Sequence, residues 1–334
     1  MSGATWKNQI ERGPELMQVQ VSKRQLGGII RVVVSAALVG GLVYVAGTAD
    51  TLAQLKLVRW EIVAFVAVIL SSHVLVVAPR WALILTALGS PIRSAALIRA
   101  VFLGFLFNQL LPTAVGGDAL RVWYARKRGA PLDLAIHSVL LDRVSGIVVV
   151  LIGTIVLLPF SHIPRLSDSL WWLSALGVAG GVAGLVCLWA IGRMRQLRFP
   201  LVGRLQRVLM DLSGSVGALL KRPADALGVL AYAMAGQMIV VVAIYLLANE
   251  VGVHLPLVDV TLVAFGAMLA SAVPISVAGW GVREGALIVL FGAYGVAADK
   301  TFTISVLFGA CMVLASLPGA FAINTQYPAP RKTG

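Results

Sequence analysis

Of the 334 residues in the chain, 59% are hydrophobic and only 12% charged, with a mean hydropathy of +0.92. That balance excludes a water-soluble globular domain and points to a polytopic membrane protein. The formal net charge of +13 does not signal a nucleic-acid binder, because Lys and Arg gather in the cytoplasmic loops of membrane proteins and no soluble module is present to carry such a surface.

Residues 1–26 form a polar tail whose Lys7, Arg12, Lys23 and Arg24 place it in the cytoplasm. The first apolar run, 29–47, has no convincing cleavage site and reads as a retained signal anchor. Full spans of roughly 20 apolar residues are expected near 29–47, 61–79, 134–159, 170–191, 225–247 and 301–323. Shorter or interrupted apolar stretches lie near 95–112, 260–275 and 282–297.

In the first half, 27–160, the span 61–79 returns the chain to a basic stretch with Arg80, Arg93 and Arg99. Trp81 beside Arg80 reads as an interfacial anchor, as do Trp171 and Trp172. The segment 95–112 enters from the cytoplasmic side, and Asp118, Arg121, Arg126, Lys127 and Arg128 mark a return to that side. Residues of about 95–130 therefore read as a re-entrant hairpin.

The second half, 161–324, repeats this in the opposite sense. Its cytoplasmic loop, 192–224, holds Arg193, Arg195, Arg198, Arg204, Arg207, Lys221 and Arg222 against Asp211, and would attract anionic lipid headgroups. A second hairpin, about 259–297, enters from outside, and Arg331 and Lys332 keep the tail 325–334 in the cytoplasm. The expected fold is all-α, with two inverted-topology repeats, each of three spanning helices and a broken re-entrant hairpin. The stretch 282–297 is also apolar enough to cross fully, which would alter the topology unless 260–275 crosses too.

The two hairpins share a string. Leu111-Pro112-Thr113-Ala114-Val115-Gly116-Gly117-Asp118-Ala119-Leu120-Arg121 aligns without a gap on Val273-Pro274-Ile275-Ser276-Val277-Ala278-Gly279-Trp280-Gly281-Val282-Arg283. Backbone groups freed by such breaks must find partners in a bilayer, so paired breaks mark a transport site. Pro112, Gly116, Gly117, Pro274, Gly279 and Gly281 are the break residues, the glycines allowing left-handed backbone and close approach.

Polar side chains in these surroundings are the candidate site. Asp142 and Arg143 lie about two turns into a span, where an ionisable residue faces a cavity or a partner. Adjacent helical residues point about 100° apart, so the two pair poorly with each other. Arg121 and Arg283 follow the glycine breaks, and a guanidinium matches a phosphate as a two-pronged fork. Asp118 and Glu284 fit either counter-ions for these arginines or proton-linked acids. Asn108, Gln109 and Gln237 fit interhelical hydrogen bonds or headgroup contacts equally well. His73 reads as a satisfied interior histidine, and His137, near a span start, is open to either role. Cys187 and Cys311, isolated in apolar segments, read as core filler, with neither a disulfide framework nor a zinc site.

The string at 111–121, Asp142-Arg143, and Pro274 leading to Gly279, Gly281, Arg283 and Glu284 resemble, in this order, the lysylphosphatidylglycerol synthase transmembrane-region family. The resemblance covers about residues 27–323. It implies a protein of the bacterial inner membrane that moves or handles amphipathic lipids between leaflets: one branch translocates aminoacylated phosphatidylglycerol, and others are associated with hopanoid or other isoprenoid-lipid pathways. It carries over Gly116, Gly117, Asp118, Arg121, Arg143, Arg283 and Glu284 as the functional set. The synthases continue into a large cytosolic aminoacyl-transferase domain, whereas this sequence ends soon after 323, so aminoacyl transfer is not expected.

The expected function is that of a lipid flippase with no ATPase of its own, since no P-loop string is present. No cofactor, metal or catalytic residue is expected. Membrane lipids and lipid-biosynthesis enzymes are the expected partners, and nucleic acid is not. The alternatives are a membrane-embedded transferase acting on a lipid-linked substrate and an accessory subunit of a lipid-biosynthesis complex.

Overall fold

A segment that crosses lipid must satisfy every backbone N–H and C=O internally, which for an apolar chain without strand alternation means helices. A computed structural model describes residues 48–110, 116–162, 200–271 and 281–321, and among these every regular element is helical. The first half supplies α1 (Thr48–Leu57), α2 (Trp60–Ala87), α3 (Ser94–Leu110), α4 (Gly116–Lys127) and α5 (Leu132–Leu157), which a 3-10 turn extends to Phe160. The second supplies α6 (Pro200–Leu220), α7 (Pro223–Glu250), α8 (Leu257–Ser271), α9 (Val282–Gly292), α10 (Ala298–Ser316) and α11 (Pro318–Phe321). The expected spans 29–47 and 170–191, both tails, Pro112, Pro274, Gly279, Trp171, Trp172 and Cys187 lie outside the described residues.

Among the described residues, four stretches are long and apolar enough to cross a membrane: Trp60–Ala87, Leu132–Phe160, Pro223–Glu250 and Ala298–Phe321. The protein is thus an integral membrane protein. At about 1.5 Å per residue, the 28 residues of α2 and of α7 reach the full thickness of a bilayer with its headgroups. The described parts of α3, α4 and α8 have 17, 12 and 15 residues, and α9, bounded by Gly281 and Ala293, has 11, too few to cross a hydrocarbon core of about 30 Å. The stretch 282–297 therefore does not make a full helical crossing.

Helices α2 and α7 pack antiparallel at the centre. Arg59, just before α2, donates to both carboxylate oxygens of Glu250, the last residue of α7, at 3.2 and 2.7 Å. His73 lies against Gly236 halfway along, and Leu83 against Gly228 towards the other end. Around this pair, α3 packs on α4 and α8 on α9, α4 packs on α5 and α9 on α10, and α5 and α10 each touch both central helices. One apolar core joins Val66, Leu70, Ile244, Leu247, Phe265, Leu287, Phe291 and Ile304. A second joins Val74, Trp81, Leu85, Leu97, Tyr124 and Ala135.

Three expectations are corrected. Arg80 and Trp81 are not anchors exposed to lipid headgroups: both are buried inside the protein, and α2 runs on past them to Ala87. The segment 192–224 is not simply a loop, since 200–220 form α6, which packs Leu212, Val216 and Leu219 against Ile84, Leu141 and Val229. Gly116 and Gly117 are helical residues of α4 and not left-handed ones; that conformation belongs to Gly281, with φ +91°.

Candidate functional site

Arg80, Asn108, Asp118, Arg121, Asp142, Arg143, Gln237 and Arg283 line one cavity of about 500 Å³ between the central helices and the short ones. Its construction starts at α2, where Pro79 has no N–H to give the preceding turn. The next residue, Arg80, donates from Nε to Asp142 Oδ1 on α5 at 2.6 Å. Asp142 Oδ2 accepts from Arg121 Nη1 on α4 at 2.9 Å. One buried carboxylate thus serves two guanidiniums from two other helices.

Arg143 turns away from Asp142 and donates to Asp118 Oδ2 on α4 at 2.6 Å. Asp118 also lies 3.9 Å from Arg121. Three guanidiniums therefore meet two carboxylates, and because Arg stays charged the cluster holds one surplus positive charge. Arg121 is at the heart of it. Its guanidinium stacks on the Trp81 ring, 4.4 Å from the centroid, and its side chain is only 9% exposed. Nε and Nη2 of Arg121 are buried and have no hydrogen-bond partner among the described residues. A buried donor left unsatisfied costs about 1–3 kcal/mol, so these two nitrogens keep donor capacity that the described residues do not use.

Local packing fixes these side chains. Trp81 Nε1 donates to Ser138 Oγ on α5 at 2.9 Å, holding the ring under Arg121. Gly117 meets Gly104 of α3 so closely that an added Cβ would stand 2.1 Å from the Gly104 carbonyl oxygen. The Gly117 N–H donates to Asn108 Oδ1 at 2.9 Å. Asn108 thereby takes up one of the orphan donors at the start of α4.

The second short pair brings Arg283 to the same cavity. Its guanidinium is tied to Glu284 and lies over the Phe308 ring, 5.1 Å from the centroid. Glu284, almost wholly buried, also accepts the Gly281 N–H at the start of α9 and a 3.3 Å hydrogen bond from Ser305. It is placed as the counter-ion of Arg283. Gln237 of α7 lines the cavity and donates to the Gly146 carbonyl at 3.3 Å.

Asn108, Asp118, Arg121, Asp142, Arg143, Gln237 and Arg283 are thus gathered from distant parts of the sequence, whereas Gln109 does not line the cavity. His137 lies elsewhere, 3.3 Å from Ser215 of α6, and Cys311 is buried in the core against the Val63 carbonyl. Sequence reasoning missed Arg80 and Trp81 as site residues. The available signal was an acid, Asp142, deep in a span and without a basic partner of its own.

The sequence pattern of the lysylphosphatidylglycerol synthase TM region matches residues 28–319. The chain belongs to this family. No curated protein shows significant similarity to it. As a lysylphosphatidylglycerol synthase TM-region protein, it carries the whole charged cluster inside the matched stretch, and membership fits a role with membrane lipids.

Proposed function

We propose that the protein moves an anionic amphipathic lipid, of phospholipid or isoprenoid type, between the leaflets of the inner membrane. It does so without its own ATPase and without chemical change to the lipid. The observation that carries this reading is Arg121: two buried nitrogens, with no hydrogen-bond partner among the described residues, of a guanidinium that lines the cavity, in a cluster one carboxylate short of neutrality. A phosphate oxygen pair fits that fork. Arg143 and Arg283 complete the anion site from α5 and α9, and Asp118, Asp142 and Glu284 hold the arginines in place.

Two inverted repeats support transport. The shift that sets Pro112 on Pro274 also carries α2 onto α7, α3 onto α8, α4 onto α9 and α5 onto α10, within four residues at every helix end. Packing partners correspond under the same exchange. The pairs α3–α4 and α8–α9 act as re-entrant hairpins, dipping in from opposite sides and each offering one arginine to the headgroup. Both chain termini lie in the cytoplasm on this reading.

Lipids retained through mild purification, identified by mass spectrometry and then assayed for movement in vesicles, test the proposal. Anionic lipid should copurify with the wild type and cross vesicles unchanged. Arg121→Ala, Arg143→Ala and Arg283→Ala should all lie near the protein-free rate. Wild-type rates in these variants would sink the site assignment, and a chemically altered lipid would favour the transferase.

A further inference from the structure

The cavity holds one titratable side chain that this function leaves unused. His73 is the fourteenth of the 28 residues of α2, and it lies against Gly236, equally central in α7. A Cβ on Gly236 would stand 3.1 Å from His73 Nε2, so the imidazole occupies the space that the glycine leaves where the long helices meet. The ring lines the cavity. Among the described residues neither of its nitrogens has a hydrogen-bond partner. A structural interior histidine donates through one nitrogen and accepts at the other; His73 does neither. An imidazole with an open lone pair, midway along two spans and facing a polar cavity, is equipped to hold a proton.

The charges around it decide when that proton is held. Helix α2 contributes Arg80, two turns further along, α4 contributes Asp118 and Arg121, and α5 contributes Asp142 and Arg143. Helix α9 contributes Arg283, which is tied to Glu284. The cavity-lining residues of α3, α7, α8 and α10 carry no charge. Guanidiniums outnumber carboxylates by one in this ring. An anionic headgroup on Arg121 cancels the surplus, and proton and headgroup then bind better together than apart. Such coupling is reciprocal.

We propose that His73 is a proton-binding site, filled when the anionic headgroup occupies the Arg121 fork, so that lipid and proton cross together. The inference rests on the anion-binding reading above. The proton arrives from water on one side, adds to a ring nitrogen of His73, and leaves to water on the other, with no bond made or broken in the lipid. Because the bound headgroup favours protonated His73, affinity is greatest at low pH. It falls by up to about tenfold per pH unit as pH rises between the titration points of the free and the lipid-bound protein.

Dioctanoyl phosphatidylglycerol titrated into the purified protein in detergent provides the test. Calorimetry in buffers of differing ionisation heat, over about pH 5 to 8 where histidine titrates, reads affinity and proton uptake together. The wild type should take up close to one proton per lipid and show the pH-dependent affinity. His73→Gln should bind with no uptake and a flat pH profile; a purely structural role would instead lower its affinity equally at every pH. Binding by the wild type without proton uptake, or equal uptake by His73→Gln, overturns the proton site and leaves the anion site standing. If the wild type binds no lipid at any pH, the anion reading itself falls, and this inference with it. Arg121→Gln, with His73 intact, should lose binding.

Discussion

Asp142 is a single carboxylate answering two arginines inside a membrane protein, and its removal tests how that interior is balanced. Asp142→Asn keeps the shape but leaves Arg80 buried without its carboxylate and Arg121 with only Asp118, 3.9 Å away. Breaking one partner out of a buried ion pair costs about 3–5 kcal/mol, and the loss should appear as a lower unfolding midpoint in detergent. Added anionic lipid should restore part of it; an unchanged midpoint would mean that the network does not hold the fold. Arg121→Lys probes recognition instead. Lysine keeps the charge but lacks the planar fork and the stack on Trp81. The fold should survive while retention of anionic lipid through purification falls about tenfold, which is about 1.4 kcal/mol; wild-type retention would rule out the fork as the reading element. At this scale the sequence was partly legible. Asp142 and Arg121 stand out because charge is costly in a bilayer. Arg80 and Trp81 did not, since an Arg-Trp pair at the end of an apolar run looks the same whether the helix stops there or continues to a partner.

The short helices owe their geometry to close backbone contact, and Gly117 is the place to test it. A methyl group there would meet a backbone oxygen of Gly104, which cannot swing aside as a side-chain tip can. Gly117→Ala must push α3 and α4 apart, at about 1–3 kcal/mol for such overpacking. Gly129 is the contrast: it has φ +97° and open space where its Cβ would go, so Gly129→Ala pays only for the left-handed backbone, about 1–2 kcal/mol. Unfolding midpoints should fall in both, but only Gly117→Ala should also loosen the site, reducing anionic lipid retention. Equal retention in the two variants would show that α3–α4 spacing does not position Arg121. The start of α9 was legible because Gly281, with φ +91°, is conspicuous in an apolar run. The reason for Gly117 was not, because conformational freedom and close approach leave the same letter in a sequence. Helix α6 was hidden differently: its arginines suggested a loop, while its apolar stripe of Leu212, Val216 and Leu219 becomes meaningful only beside α5 and α7.

For the whole molecule the decisive property is which side of the membrane each turn faces. If the halves are inverted repeats with re-entrant hairpins, both ends of the first hairpin face the cytoplasm and both ends of the second face outward. Arg93 and Arg128 flank α3–α4, His254 and Ala297 flank α8–α9, and all four are exposed. Cysteine placed singly at each, in a background with Cys187 and Cys311 replaced by serine, reports its side through a membrane-impermeant maleimide. Intact cells should label His254→Cys and Ala297→Cys, and should spare Arg93→Cys and Arg128→Cys until the membrane is opened. A hairpin that crossed instead of returning would split its own pair, with one end labelled and the other protected. A parallel repeat would place both pairs on the same side. Only inverted halves put Arg121 and Arg283 on hairpins of opposite origin that reach one cavity, and that arrangement lets a single headgroup be reached from either leaflet without the protein turning over.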